Sequence, residues 1–187
     1  MTEKEKAATG LLYNLNKDSS FWTDMERTSM LLFEYNRISP SEVETRQCLL
    51  KKILKRMGES VVIRSPFFCD YGYNIEIGDN FFANVNFVVL DGAKVTIGNN
   101  VFVAPNVGLY TAGHPLDFEL RNEGFEYARP IAIGNNVWIG AHVAVLPGVT
   151  IGDNAVIGAG SVVVKDIPAN TLAVGNPCRV VKSLVEK

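Results

Sequence analysis

Residues Ile133 to Val163 read IGNNVWIGAHVAVLPGVTIGDNAVIGAGSVV. An aliphatic residue stands at every sixth position, Ile133, Ile139, Val145, Ile151, Ile157 and Val163, and four of the six are followed by glycine. A helix would place apolar residues at i, i+3, i+4 and i+7, and a strand alternates every two. A sustained period of six therefore requires a coil of short strands and turns.

The same phase runs upstream. Ile77, Ala83 and Val89 form one set, a two-residue slip leads to Ile97, Val103 and Leu109, and the 24 residues from Leu109 to Ile133 are four sixes. Positions four beyond each anchor are mostly apolar as well, among them Phe81, Phe87, Val101, Val107, Val137, Val143 and Val149. Gly78-Asp79-Asn80, Gly98-Asn99-Asn100, Gly134-Asn135-Asn136 and Gly152-Asp153-Asn154 fill the turns with residues that tolerate left-handed backbone angles. Three anchors to a coil give about four complete turns of a prism from these twelve anchors, with partial coils at either end. Buried in the stack, each anchor contributes roughly 1.5–3 kcal/mol.

The flanks differ from this texture. Residues 1–58 carry few glycines, many Glu, Lys and Arg, and apolar positions such as Leu31, Leu32 and Tyr35 at helical spacing, which predicts a small helical segment. Ser41 and Glu44 are spaced for a capping box opening a helix through about Met57, with Gly58 ending it. The β-coil is expected over 59–168. Within it, GHPLDFELRNEGFEYARP (113–130) breaks the repeat and is expected to leave it as an external loop. From Asp166 the chain reads DIPANTLAVGNPCRVVK, and over 169–187 a cap and a short terminal helix are expected.

Composition narrows the class. The 187-residue chain is 47% hydrophobic and 20% charged, ordinary for a soluble globular protein. A net charge of −2 lacks the basic surplus that nucleic-acid binding needs. No apolar run reaches the roughly 18 residues of a membrane span, and MTEKEKAATG has no apolar signal core, so a cytoplasmic location is expected. Cys48, Cys69 and Cys178, odd in number and widely spaced, suit reduced packing residues.

The repeat resembles the hexapeptide acyltransferases. The resemblance narrows at Asp70-Tyr71-Gly72-Tyr73-Asn74-Ile75, Phe82-Ala83-Asn84, Thr111-Ala112-Gly113-His114-Pro115, Ile133–Gly140 and Gly175-Asn176-Pro177-Cys178-Arg179, which are similar to maltose and galactoside O-acetyltransferases. It covers essentially the whole chain. It implies a mainly β fold, a left-handed parallel β-helix with an N-terminal α-helical segment, an extruded loop and a short C-terminal helix. It also implies transfer of acetyl from acetyl-CoA to a sugar hydroxyl, in a homotrimer with active sites between subunits.

An alcohol is a poor nucleophile until its proton is taken during attack, and histidine, with an ordinary pKa near 6.5, suits that task. Of the two histidines, His114 lies at the mouth of the loop and matches the family's base, whereas His142 sits in a regular repeat and is expected to point outward. Glu126 either accepts from the other ring nitrogen of His114 and holds its tautomer, or is one of several solvated acids in the loop. Asn84 matches the family's active-site asparagine, which could hold the acceptor hydroxyl or the forming oxyanion; asparagine is also a routine turn residue here. Asp70 and Asp91 fall near the family's sugar-binding positions, with Gly92 a departure from an acid found there in relatives. Tyr13, Asn14 and Asn16 add possible acceptor contacts, or mark a helix terminus. The positions matching the CoA groove are Ala141, Ala159, Val164, Lys165, Arg179 and Lys182, the basic ones for CoA phosphates. No metal is expected: a γ-type carbonic anhydrase on this fold needs three histidines. A non-catalytic solenoid would explain the repeat but not the loop with its histidine. Other acceptors of the fold's enzymes, such as oligosaccharides, amino sugars, serine or an antibiotic, remain open.

Overall fold

A computed structural model describes residues 1–185. The chain coils as a parallel β-helix of triangular section, each coil laying one short strand on each of three faces. The first face stacks Arg56–Met57, Ile75–Ile77, Val95–Ile97, Ile131–Ile133 and Thr150–Ile151. The second stacks Val62–Ile63, Phe82–Ala83, Phe102–Val103, Trp138–Ile139, Val156–Ile157 and Thr171–Val174. The third stacks Phe67–Cys69, Phe87–Leu90, Gly108–Tyr110, Ala144–Val145 and Val162–Val163.

Register follows the anchors. Ile77 pairs with Ile97 and Ile97 with Ile133; Val103 pairs with Ile139; Leu109 lies between Val89 and Val145. All twelve anchors are buried, as are Phe81, Phe87, Val101, Val107, Val137, Val143 and Val149 at the corners, so one continuous aliphatic column fills the prism. The stack is longer than the anchors alone implied. Met57, Ile63 and Cys69 pair with Ile77, Ala83 and Val89 to make an earlier coil, and Ile167 and Ala173 begin another beyond Ile151 and Ile157.

The edge between the first and second faces explains the Gly-Asp/Asn-Asn turns. Asn80, Asn100, Asn136, Asn154 and Asn170 all have φ between 54° and 59°. Their side-chain amides join along the stack, from Asn80 to Asn100 (3.1 Å) through Asn154 to Asn170 (2.8 Å). A Cβ on Gly98 would lie 2.7 Å from the Gly134 carbonyl oxygen, so the close approach of neighbouring coils selects glycine there.

Helices α2 (Ser20–Arg37) and α3 (Val43–Ile53) cover the first coil, with Leu32, Tyr35, Leu49, Leu50 and Ile53 buried against it, while α1 (Glu3–Ala8) packs beside Tyr13–Asn14 and Phe125–Ala128. Two expectations are corrected here. Ser41 and Glu44 form no capping box: Glu42 occupies the cap position of α3 without a side-chain cap, and Ser41 Oγ faces Ser39 Oγ. The helix stops at Ile53 because Arg56–Met57 is drawn into the first face, and Gly58 serves a coil contact, its absent Cβ being 2.7 Å from the Gly78 backbone. The terminal helix is instead an antiparallel hairpin of Thr171–Val174 and Arg179–Ser183, turned at Gly175 (φ 104°). Thr171–Val174 finds unpaired backbone groups on Val156–Ile157, and the β-branched Val180 and Val181 suit an added strand. Residues 186–187 of the expected cap lie outside the described residues.

The expected external loop is present and carries structure. It leaves at the edge between the third and first faces, forms a short helix α4 (Phe118–Asn122), and returns as Phe125–Ala128, paired antiparallel with Ala112–Gly113 on one side and Tyr13–Asn14 on the other. On the second face the outward residues are apolar: Val62, Phe82, Phe102, Trp138 and Val156 stack side by side, with Phe102 and Trp138 more than half exposed. No helix among the described residues is long and apolar enough to cross a membrane.

Ile139, fully buried in mid-stack, tests the column. Ile139→Ala is expected to lower the unfolding free energy by about 2–5 kcal/mol, read from denaturant melts.

Candidate functional site

A cavity of about 280 Å³ opens where the loop hairpin meets the N-terminal segment and the coil. Its walls include Tyr13, Asp70, Gly92, His114 and Glu126. The pairing of Tyr13 with Glu126 and Asn14 with Phe125 closes this wall. Asn14 is buried in that clamp: its N–H donates to Glu3 Oε2 (2.7 Å) and its side-chain amide to the Glu123 carbonyl (2.9 Å).

His114 directs its two nitrogens differently. Nδ1 lies 3.3 Å from the Phe125 carbonyl oxygen, a group that can only accept, which puts the proton on Nδ1 and leaves a lone pair on Nε2. Nε2 lies 3.8 Å from Glu126 Oε1. Neither of the two readings of Glu126 holds as stated: a backbone carbonyl holds the tautomer, and the carboxylate, mostly buried, stands on the side of the free lone pair. Its other oxygen, Oε2, accepts from the Tyr13 hydroxyl at 3.0 Å. Burial and the adjacent Glu126 charge push the Tyr13 phenol up, so Tyr13 remains a proton donor.

Asp70 lines the cavity, and burial, then the charges of Asp91 and Glu126, push its carboxyl up to about 7. Near neutral pH it therefore both donates and accepts hydrogen bonds, which suits a sugar hydroxyl. Asp91 does not contact the cavity and is corrected as a direct sugar ligand. It is fully buried, and its carboxylate accepts the backbone N–H groups of Asp70 (3.0 Å), Tyr71 (2.9 Å) and Asn74 (3.4 Å). Burial pushes its pKa up against the opposing pull of those N–H groups. Its work is to fix the turn that presents Asp70. Asn16 is exposed beside Gly124, outside the cavity wall.

Asn84 stands on a different edge, between the second and third faces, with Oδ1 accepting from Val85 N (2.8 Å) and Arg64 Nη1 (3.3 Å). Its Nδ2 has no acceptor among the described residues. Ala141 and Ala159 stack along the same edge, linked through the Gly160 N–H to the Ala141 carbonyl (2.8 Å), and His142 is exposed there at φ 58°. Arg179 and Lys182 project from the terminal hairpin, while Val164 and Lys165 lie on the loop edge of the prism; all four are exposed. One chain thus divides the expected residues between two edges. Among the described residues no group of three His, Cys, Asp or Glu could hold a metal ion.

The sequence did not single out Met25, Tyr71, Leu90 or Ala112 as cavity residues. Tyr71 lies inside a quoted motif and Ala112 beside His114, but Met25 reaches the cavity only through the packing of α2, which no local pattern encodes.

Comparison with known proteins matches residues 130–165 to the bacterial transferase hexapeptide (six repeats) family and residues 6–58 to the maltose acetyltransferase hexapeptide capping motif. The galactoside O-acetyltransferase of Escherichia coli K12 is 52% identical over 161 residues, 86% of this chain and 79% of that protein. The structure of a galactoside acetyltransferase in complex with coenzyme A superposes with a TM-score of 0.95 at 48% identity, covering 99% of this chain and 92% of that one. A maltose O-acetyltransferase from Clostridium difficile 630 gives 0.92 at 49% identity, covering 100% and 99%.

The raised Asp70 carboxyl has a measurable sign. Between its ordinary 3.8 and about 7 the folded chain holds a proton that the unfolded chain has lost, so stability falls as pH rises through that window and levels off above it. Asp70→Asn is expected to gain on the wild type progressively from pH 4 to 7 in denaturant melts.

Proposed function

This chain belongs to the hexapeptide-repeat acyltransferases, in the branch of the maltose and galactoside O-acetyltransferases, and on that premise we propose that it acetylates a sugar hydroxyl with His114 as general base. Its coil is the left-handed parallel β-helix of that family. It is an acetyl-CoA-dependent sugar O-acetyltransferase. The observation that carries the proposed mechanism is the His114 ring, with Nδ1 toward the Phe125 carbonyl and Nε2 toward Glu126 at a cavity wall.

In the reaction, the acceptor oxygen attacks the thioester carbonyl carbon while Nε2 takes the hydroxyl proton. Glu126, 3.8 Å away, faces the imidazolium so formed and offsets its charge. The C–S bond breaks as the tetrahedral oxyanion collapses, and the imidazolium returns its proton to the thiolate. Products are an acetyl ester and free CoA, with no acyl-enzyme. Holding both reactants in line can be worth about 7–11 kcal/mol. Asp70 and Tyr13 bind the acceptor from the cavity wall.

The assembly we propose is a homotrimer with each site between two chains. Support comes from the division of residues between edges and from the exposed apolar stripe on the second face, which a neighbouring chain would cover. Asn84 of one chain would then direct its free Nδ2 at the oxyanion or the acceptor beside the next chain's His114. The small Ala141 and Ala159 leave room for the pantetheine arm, with Val164 beside it, and Lys165, Arg179 and Lys182 meet the CoA phosphates.

His114→Ala is expected to lower turnover by about 10²–10⁴-fold in assays of thiol release, with acetyl-CoA affinity nearly unchanged. Loss of folding or of CoA binding would instead make His114 a structural residue.

A further inference from the structure

Beside the 280 Å³ cavity lies a larger one, about 800 Å³, between α1, the start of α2 and the loop edge of the coil. Tyr71 and Gly92 belong to the walls of both. A Cβ on Gly92 would lie 3.2 Å from the Tyr13 hydroxyl and 3.4 Å from Cβ of both Ala112 and Ala128. Ala112 lines the smaller cavity and Ala128 the larger, so any side chain at position 92 would fill their junction.

The larger cavity has the chemistry of a carbohydrate platform. Tyr73, half-buried on the wall and stacked on the buried Tyr71 (centroids 5.3 Å apart), supplies an aromatic surface, and Asp24, Asn74 and Arg129 add donors and acceptors. Its other cations are already neutralised, Lys4 by Asp24 (2.6 Å) and Lys94 by Glu76 (3.1 Å), which disfavours a strongly anionic ligand. At 280 Å³ the His114 cavity falls just below the range of about 300–1,000 Å³ that ligand sites span, room for a single small ring.

We propose that the larger cavity is a second saccharide subsite, so that the acceptor is an oligosaccharide whose reacting unit lies at His114 and whose next unit passes Gly92 into the groove under α1. This rests on the sugar O-acetyltransferase reading above and names its substrate class.

The test compares glucose with maltotriose and cellotriose on the full-length protein, by calorimetric binding without acetyl-CoA and by thiol release with it. Ala8→Trp, on an exposed position of the larger cavity, obstructs the groove, and Asp24→Ala removes a polar contact should the first variant fold poorly. At least one trisaccharide is expected to bind about tenfold more tightly than glucose to the wild type, with that advantage lost in Ala8→Trp and reduced in Asp24→Ala. Equal binding of glucose and both trisaccharides, or an advantage that survives in the folded variants, overturns the subsite. Tight trisaccharide binding without thiol release from any sugar would uphold the subsite and overturn the transfer reading.

Discussion

Inside the prism each aliphatic side chain rests on its counterpart one coil below, Ile97 on Ile77, Ile133 on Ile97 and Ile151 on Ile133. That stacking fixes the register of all three faces at once. A slip by one residue would turn the buried set outward on every strand, so the column allows only one arrangement. Turn positions then fall above one another, which brings the asparagines into amide ladders and permits only glycine where neighbouring coils touch. The edges become straight rails, and the proposed site residues stand on them.

The irregularities of the repeat also gather on one rail. The two-residue slip before Ile97 and the long insertion before Ile133 both fall at the edge between the third and first faces. There the coil widens to hold Asp91, whose carboxylate ties the turn at Asp70, and one coil on it releases the loop bearing His114. The returning strand Phe125–Ala128 supplies the carbonyl that orients His114 and the carboxylate beside it, while Tyr13 pairs across from Glu126. The N-terminal segment is thereby part of the cavity at His114 as well as a cover for the first coil.

What could be read from the residues followed how local the determining forces were. The six-residue period is a direct imprint of the column, so the parallel coil and its external loop were legible. Met57, Ile63 and Cys69 keep the same period, but of the three only Ile63 has the aliphatic character of the anchors, and Met57 falls within the stretch that reads as helix. The terminal hairpin was missed because its partner is the free edge of Val156–Ile157, a tertiary influence that overrides local propensity. At the site, His114 stood out by its place in the loop, whereas the direction of its nitrogens depends on a backbone carbonyl that carries no side-chain signature. Asp91 was misread for a related reason: a carboxylate suits sugar hydroxyls and backbone N–H groups equally, and only burial distinguishes the two uses.

With His114 on one rail and Asn84 on another, the proposed mechanism requires chains to meet edge to edge. The most direct test is to refold an equimolar mixture of His114→Ala and Asn84→Ala chains, each strongly impaired alone, and assay thiol release. Sites shared between neighbours predict recovery to roughly a quarter of wild-type activity, the fraction of random pairings that unite an intact His114 with an intact Asn84 in a cyclic trimer. Mixed trimers that form and stay as inactive as their parents would contradict a site built across two chains.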